Sequence, residues 1–479
     1  MKPPVGPPRQ RLPLWTRIVY GSGDWSLSSF NTFRQVFYAA FLTDVVGLDA
    51  RLASVAALIG VAWDAINDPI VGTVSDRLRT RWGRRRPLML AFAVPFGLSF
   101  VALWWAPPWH SQVALAVHVA LAYMITDTMQ SLVTVPFFAL TPELTPDYDE
   151  RTALTAWRTG FNLVASLAVA VLAPSIVDQV VAGGGTAQQG YLLCGALFGG
   201  LAVIPPLLIV ALIRERVDAA EAPEPPPVSE TFRAAWSLRS FRVLTVLYLL
   251  NWITFDLVGL MIPFFVTWWL ASGSPLASVS VLGLPLPVES AMLGALLVVS
   301  LPAVPVWVWL SNHIGKRAAY AIAMAGWAAV QLVVWLVPPG RFGLAVGAAA
   351  LAGVGVAAAH VLPDAMLPDV IDEDELATGR RNEGAFSGAL NLVRKGAGAV
   401  AVFGALQVLG WTGYDPGGAG QPERAVWAVR LLTGPAGALL LVAAIVAAVA
   451  YPMGRARHAE IRAALAARSR AAEAGSGGI

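Results

Sequence analysis

Asp64, Asn67 and Asp68 stand at i, i+3 and i+4 inside a run, residues 53–74, made mostly of Ala, Val, Leu, Ile and Gly. A helix lays all three on one face about one turn long. A charge at the bilayer centre costs at least ~2.5 kcal/mol on insertion scales, so this face points into a bundle or a wet cavity. Two carboxylates with an amide between them make an all-oxygen site for a small hard cation such as Na⁺, or a site that shares a proton. A structural bridge between helices is the competing reading. The helix ends in SDRLRTRWGRRRP, residues 75–87. Asp76 with Arg77, Arg84 and Arg85 reads as a cytoplasmic gate that pairs across helix ends in one state and separates in the other.

Such residues need a membrane-embedded frame, and the composition supplies one. The chain has 479 residues, 57% of them hydrophobic and only 13% charged, which excludes an ordinary soluble domain. That length accommodates about twelve spans of ~20 residues with their connections. The single cysteine, Cys194, excludes an internal disulfide. No nucleotide loop or metal-ligand cluster appears, so the expectation is no enzyme, no cofactor beyond a coupling ion, no nucleic acid and no obligate protein partner. Residues 1–13 are rich in Pro and Arg, which leaves targeting to the first span.

Spans are expected near 19–46, 53–74, 87–107, 112–140, 154–181 and 191–213, then near 241–271, 287–311, 317–337, 342–362, 383–411 and 425–452. Span one carries Asp24, Ser26, Ser28, Ser29, Asn31, Thr32, Arg34 and Gln35, so it lines a polar path. Span four carries Asp127, Ser131 and Thr134 on one face. The segment 214–240 contains RERVDAAEAPEPPPVSE, whose prolines and charges read as an extended linker. The domains are therefore 1–213 and 241–453, two six-helix bundles, with a tail at 454–479. Arginine and lysine bias places both termini, the linker and the arginine cluster in the cytoplasm, with a bacterial inner membrane as the setting.

The halves echo each other. PFFALTPELTPDYDERTALTAWR after span four is matched by AMLPDVIDEDELATGRRNEGAF after span ten, and SDRLRTRWGRRRP by SNHIGKRAA. Internal repetition of this kind is how transporter folds are built, with sites at the repeat interface near the midplane. The expected fold is an all-α integral membrane protein of twelve transmembrane helices in two pseudo-symmetric bundles.

Three segments, WDAINDPIVG with DRLRTRWGRRRP, VPFFALTPEL with DERTALTAWR, and RRNEGAFSGALNLVRKGAG, occur in order over nearly the whole chain. On these the chain resembles the glycoside–pentoside–hexuronide:cation symporter family of the major facilitator superfamily. The resemblance implies symport of a sugar or glycoside with Na⁺ or H⁺ by alternating access. It implies that Asp64, Asn67 and Asp68 bind the cation with help from Ser131, that Asp24 and Arg158 contact the sugar, and that Lys395 couples the two. Lys395 is one of three lysines against thirty arginines, and an intramembrane ammonium needs a carboxylate partner, for which the span-two acids are candidates. Trp25 and Trp157, beside Asp24 and Arg158, are the candidates for stacking on a sugar. The sequence departs from the family's galactoside carriers at Thr134, where they place an aspartate. Asp127, two turns earlier on the same face, then either substitutes in substrate binding or serves a gate. Asp127-Thr128-Met129 also resembles the lysolipid branch of the same family, so a cation-coupled lysophospholipid symporter is the alternative.

Overall fold

The structure, a computed structural model, describes residues 12–145, 148–213, 236–274, 277–281, 283–379 and 383–476. Most of the expected linker, 214–235, lies outside them. Six helices fill the first half: α1 (Leu14–Ala40), α2 (Ala50–Arg77), α3 (Arg86–Leu103), α4 (Gln112–Leu144), α5 (Tyr148–Ala182) and α6 (Ala187–Leu212). The second half holds α7 (Arg239–Phe264), α8 (Val288–Ile314), α9 (Lys316–Leu336), α10 (Phe342–Thr378), α11 (Glu383–Trp411), α12 (Glu423–Thr433), α13 (Pro435–Ala450) and α14 (Arg455–Ser476). Among the described residues eleven helical stretches are long and apolar enough to cross a membrane, α12 and α13 counting together as one. Helix α1 is of similar length, but its buried Asp24, Ser26, Ser28 and Ser29 lower its hydropathy and leave it outside those eleven.

Local chemistry sets the helix ends. Asp49 caps α2 by accepting from the Arg51 and Leu52 amides. Burial alone pushes the Asp49 carboxyl up, but hydrogen bonds from the Arg51 side chain and those two amides outweigh it and hold it below the ordinary carboxylate value. Thr186 and Gln189 form a reciprocal capping box on α6. Gly315, at φ +90°, makes the turn that joins α8 to α9. Thr43 bonds back to the carbonyls of Ala39 and Ala40 where α1 loosens into a π-helical turn, Phe41–Val45.

The chain forms two compact units. One gathers the described residues within Met1–Ala222, Ser274–Ala291 and Leu406–Pro422; the other gathers those within Pro223–Gly273, Met292–Ala405 and Glu423–Ile479. In the first, α1 packs on α5 and α6, α2 on α4, and α3 on α4 and α6. Gly97 and Gly199 make the α3–α6 crossing: a Cβ on either would lie 2.8 Å from the other's carbonyl oxygen. Phe33, Phe96, Phe100, Trp104 and Phe198 fill that unit's aromatic core, with Phe33 stacked on Trp104 at 3.9 Å. In the second, α9 packs on α10 and α13, and α7 on α10 and α13. The α9–α10, α9–α13 and α7–α13 packings repeat α3–α4, α3–α6 and α1–α6, as two copies of one bundle require.

Several boundaries differ from the sequence reading. Span ten, expected near 342–362, continues to Thr378, and the expected tail is helix α14, whose buried Ile461 packs with the second core. Each covers the other, so the acidic end of α10 is helical. The last span breaks at Gly434–Pro435, where proline cannot donate to the preceding helix. A two-stranded antiparallel hairpin, β1 (Ser278–Val281) and β2 (Leu284–Pro287), occupies the connection ahead of α8.

Candidate functional site

Helix α1 presents Asp24, Ser28 and Thr32 at strict i+4 spacing, and α5 presents Arg158, Asn162 and Ser166 likewise. The two stripes pair rung for rung. Arg158 Nε donates to Asp24 Oδ2 at 2.6 Å, the Asn162 amide donates to the Ser28 hydroxyl, and the Thr32 hydroxyl donates to Ser166 at 2.9 Å. Every rung joins residues 134 apart, the signature of two helices running in the same direction. Gly21 permits the approach, since a Cβ there would lie 2.8 Å from the Trp157 Cβ. Asp24 is only 5% exposed, and the Arg158 guanidinium lies over the Phe138 ring at 4.5 Å and the Phe137 ring at 5.3 Å. The Tyr20 hydroxyl continues the stripe, meeting Thr141 and donating to the Phe137 carbonyl.

The second group lies on α2 and α4. Ser131 Oγ, the hydroxyl named from resemblance, donates to Asp68 Oδ1 at 2.6 Å. Asp64 and Asp68 are half-buried, while Asn67 is 4% exposed with its amide nitrogen lacking a hydrogen-bond partner. Pro69 has no N–H, so the Ala65 carbonyl has no i+4 amide and remains an additional oxygen in the same turn. Trp63 Nε1 donates to Thr128 at 2.9 Å and pins α2 to α4 beside them. Two carboxylates, an amide, a hydroxyl and a released carbonyl are oxygen donors of the kind a small hard cation prefers.

Between these groups sits Arg34, which the sequence reading counted as a polar residue of span one without giving it a role. Its guanidinium is 3.9 Å from Asp127, donates to Asn31 at 3.4 Å and lies over the Tyr123 ring at 4.7 Å. Asp64 lies within its electrostatic reach. The available signal was a basic residue inside a span whose other charges, Asp24 and Asp44, lie ten residues away on either side, where a charge without a nearby partner is costly.

Other expected residues are placed less centrally. Trp157 is 37% exposed and Trp25 half-buried, and neither ring contacts another ring or Arg158 among the described residues. Thr134 is buried on α4. Lys395 is half-buried on α11. In the arginine cluster, Arg85 is buried and donates to Ser75 at 2.9 Å, Arg84 is half-buried and Arg77 is exposed; the Asp76 side chain lies outside the described residues. Glu150 receives Arg17 at 2.8 Å. Asp369, in the repeated acidic stretch, receives Lys316 at 2.6 Å and His458 at 3.4 Å.

A sequence model described as MFS/sugar transport protein matches residues 19–455. An uncharacterized symporter of Synechocystis is 29% identical over 96% of this chain and 98% of its own length. The sodium-dependent lysophosphatidylcholine symporter 1 of Gallus gallus is 24% identical over 95% of this chain and 90% of its own. The isoprimeverose transporter of Lactiplantibacillus pentosus is 24% identical over 78% of this chain and 76% of its own. Among solved structures, a bacterial homologue of the human lysosomal transporter Spinster, inward-facing and unoccupied, superposes with a TM-score of 0.65 at 12% identity, covering 91% of this chain and 95% of that one.

Proposed function

The chain belongs to the MFS/sugar transport protein family, and from this we propose that it carries a sugar or glycoside inward with Na⁺ or H⁺ by alternating access. It is a multi-pass membrane transporter, not an enzyme, and its relatives are cation-coupled symporters. The proposal sets it in a bacterial inner membrane with both termini cytoplasmic, as the arginine bias favours. Asp64, Asn67, Asp68 and Ser131 hold the coupling cation, and the observation that carries this is the 2.6 Å hydrogen bond that brings the α4 hydroxyl onto the α2 acid. Arg34, 3.9 Å from Asp127 on α4, ties α1 to the helix that carries Ser131, so that filling the cation site changes the field at the α1–α5 ladder. Asp24 and Arg158 contact the sugar: one offers acceptors and the other donors, and a neutral pair takes a neutral ligand without burying net charge. Lys395 couples cation to substrate, as the resemblance implies.

A second reading follows from the lysophosphatidylcholine symporter that aligns along nearly all of the chain, in which the same machinery moves a lysolipid. The test is uptake by purified protein in proteoliposomes, with labelled glycosides, pentosides, uronides and lysolipids under an imposed Na⁺ or pH gradient. Accumulation of a sugar under one gradient supports the proposal and names the ion. Accumulation of lysolipid alone replaces the substrate and keeps the coupling residues.

A further inference from the structure

The C-terminal bundle contains a second buried arginine–aspartate pair that motif reading passed over. Arg394 on α11 grips Asp256 on α7 with both terminal nitrogens, at 2.7 and 3.2 Å. The pair stands on the helices that repeat α1 and α5. Asp256 follows Asp24, and Arg394 follows Arg158, at the offset of about 230 residues that relates the repeated loop motifs. The surroundings differ. The α1 and α5 backbones run in close contact, whereas those of α7 and α11 scarcely approach within 8 Å. The pair reaches across that wider gap on long side chains.

Aromatic groups take the space. Trp252, one turn before Asp256, lies under the Arg394 guanidinium at 3.8 Å. His360 on α10 sets its ring edge-on to Trp252 at 4.8 Å and to Phe255 at 4.7 Å, and its Nδ1 faces the Val356 carbonyl at 3.0 Å, which leaves Nε2 for another partner. The Trp252 indole nitrogen is buried with no well-formed hydrogen bond, the Tyr248 hydroxyl one turn earlier lying near it. Arg394 remains 27% exposed along its side chain while Asp256 is 3% exposed. A buried indole N–H left unsatisfied is costly unless something else accepts from it.

We propose that Trp252, Asp256, His360 and Arg394 form a glycosyl-binding subsite belonging to the C-terminal bundle, a claim that rests on reading the chain as a sugar symporter. The chemistry selects a neutral polyhydroxylated ring. The internal pair already cancels its own charge, so an anion or a cation would have to break a bidentate bond, whereas hydroxyls donate to Asp256 and accept from Arg394 without breaking it. A hydroxyl oxygen satisfies the Trp252 N–H, and the aromatic side chains offer apolar surface to a ring's C–H face. The ligand class is a neutral glycoside or pentoside, in preference to a uronide.

The experiment is equilibrium binding of a labelled panel (isoprimeverose, methyl xyloside, methyl glucoside, glucuronate and lysophosphatidylcholine) to the full chain in nanodiscs, with the melting temperature read in parallel. Trp252→Phe keeps the aromatic bulk and removes the N–H; Arg394→Lys keeps the charge and removes the fork. Each is expected to weaken binding of the neutral glycosides about tenfold, with the melting temperature of Trp252→Phe unchanged. Unchanged glycoside affinity in both variants, with a lowered melting temperature for Arg394→Lys, makes the pair a structural brace and overturns the subsite alone. Tighter binding of glucuronate than of any neutral sugar overturns the ligand class. A parent protein that binds only lysophosphatidylcholine overturns the subsite and the sugar reading together.

Discussion

The α1–α5 and α7–α11 seams are two editions of one design. Both carry an aspartate on the first helix of a bundle and an arginine on the fifth, joined by hydrogen bonds of 2.6 and 2.7 Å. In the N-terminal seam the ionic rung is followed by two neutral polar rungs, Ser28–Asn162 and Thr32–Ser166. In the C-terminal seam the corresponding step beyond the pair meets Leu260 and Gly398, and aromatic rings flank the ion pair instead. The first seam is a zipped polar contact between close backbones; the second is a single bridge across a wider gap. Repetition conserves the charge pair, because a buried charge tolerates no loss of its partner, while the neutral rungs are free to diverge.

That contrast can be attacked directly. The largest effect is expected from Asp24→Ala, which strands Arg158: about 3 kcal/mol of stability is lost, read as a fall in melting temperature, and sugar binding goes with it. Asp256→Ala is expected to destabilise less, because the α7 and α11 backbones scarcely approach and Arg394, 27% exposed against 19% for Arg158, turns more easily to solvent. Equal losses would erase the distinction between the seams. Removing both members of the first pair, with Asp24→Leu and Arg158→Met together, restores most of the melting temperature but not transport. Cutting a neutral rung with Ser28→Ala costs about 1 kcal/mol, measurable by thermal or denaturant titration in detergent. Gly398→Ala in the other seam puts a Cβ 3.0 Å from Asp256 Oδ2 and displaces the carboxylate by a few tenths of an ångström, for a loss of at most about 1 kcal/mol. Away from both seams, Asp49→Ala removes the α2 cap for about 0.5–1 kcal/mol. Because that carboxyl titrates below its ordinary value in the folded chain, its contribution is present above the ordinary carboxylate pKa and is lost as pH falls through the lowered one.

Much of the architecture was legible because a membrane allows few solutions. Hydropathy runs foreshadowed the eleven long apolar helices, and α1 was read from its polar residues as a helix lining a polar path. The Asp64–Asn67–Asp68 turn and its Ser131 neighbour were accessible because helical spacing and the motif resemblance address the same faces. The ladder on α1 was half visible, since its hydroxyls were noted but their partners on α5, 134 residues away, were not. Arg34 and the Asp256–Arg394 pair were missed for one physical reason: a lone charge in a span advertises a partner without naming it, and the partner lies on another helix. A period of four in polar residues on two helices of one bundle would have found the ladder, and the repeat offset applied to Asp24 and Arg158 would have found the second pair. The helical end of α10 under α14, the break at Gly434 and the hairpin before α8 depend on packing that no local pattern records.

The most direct measurement compares Asp68→Asn with the parent in proteoliposomes, following both gradient-driven accumulation and counterflow exchange of the same labelled sugar. The substitution keeps the side chain's size and removes the charge proposed to hold the cation beside Ser131. The expected result is loss of accumulation under either an imposed Na⁺ or an imposed pH gradient, with exchange retained. Accumulation at the parent's level in the variant would contradict cation coupling at the α2–α4 cluster.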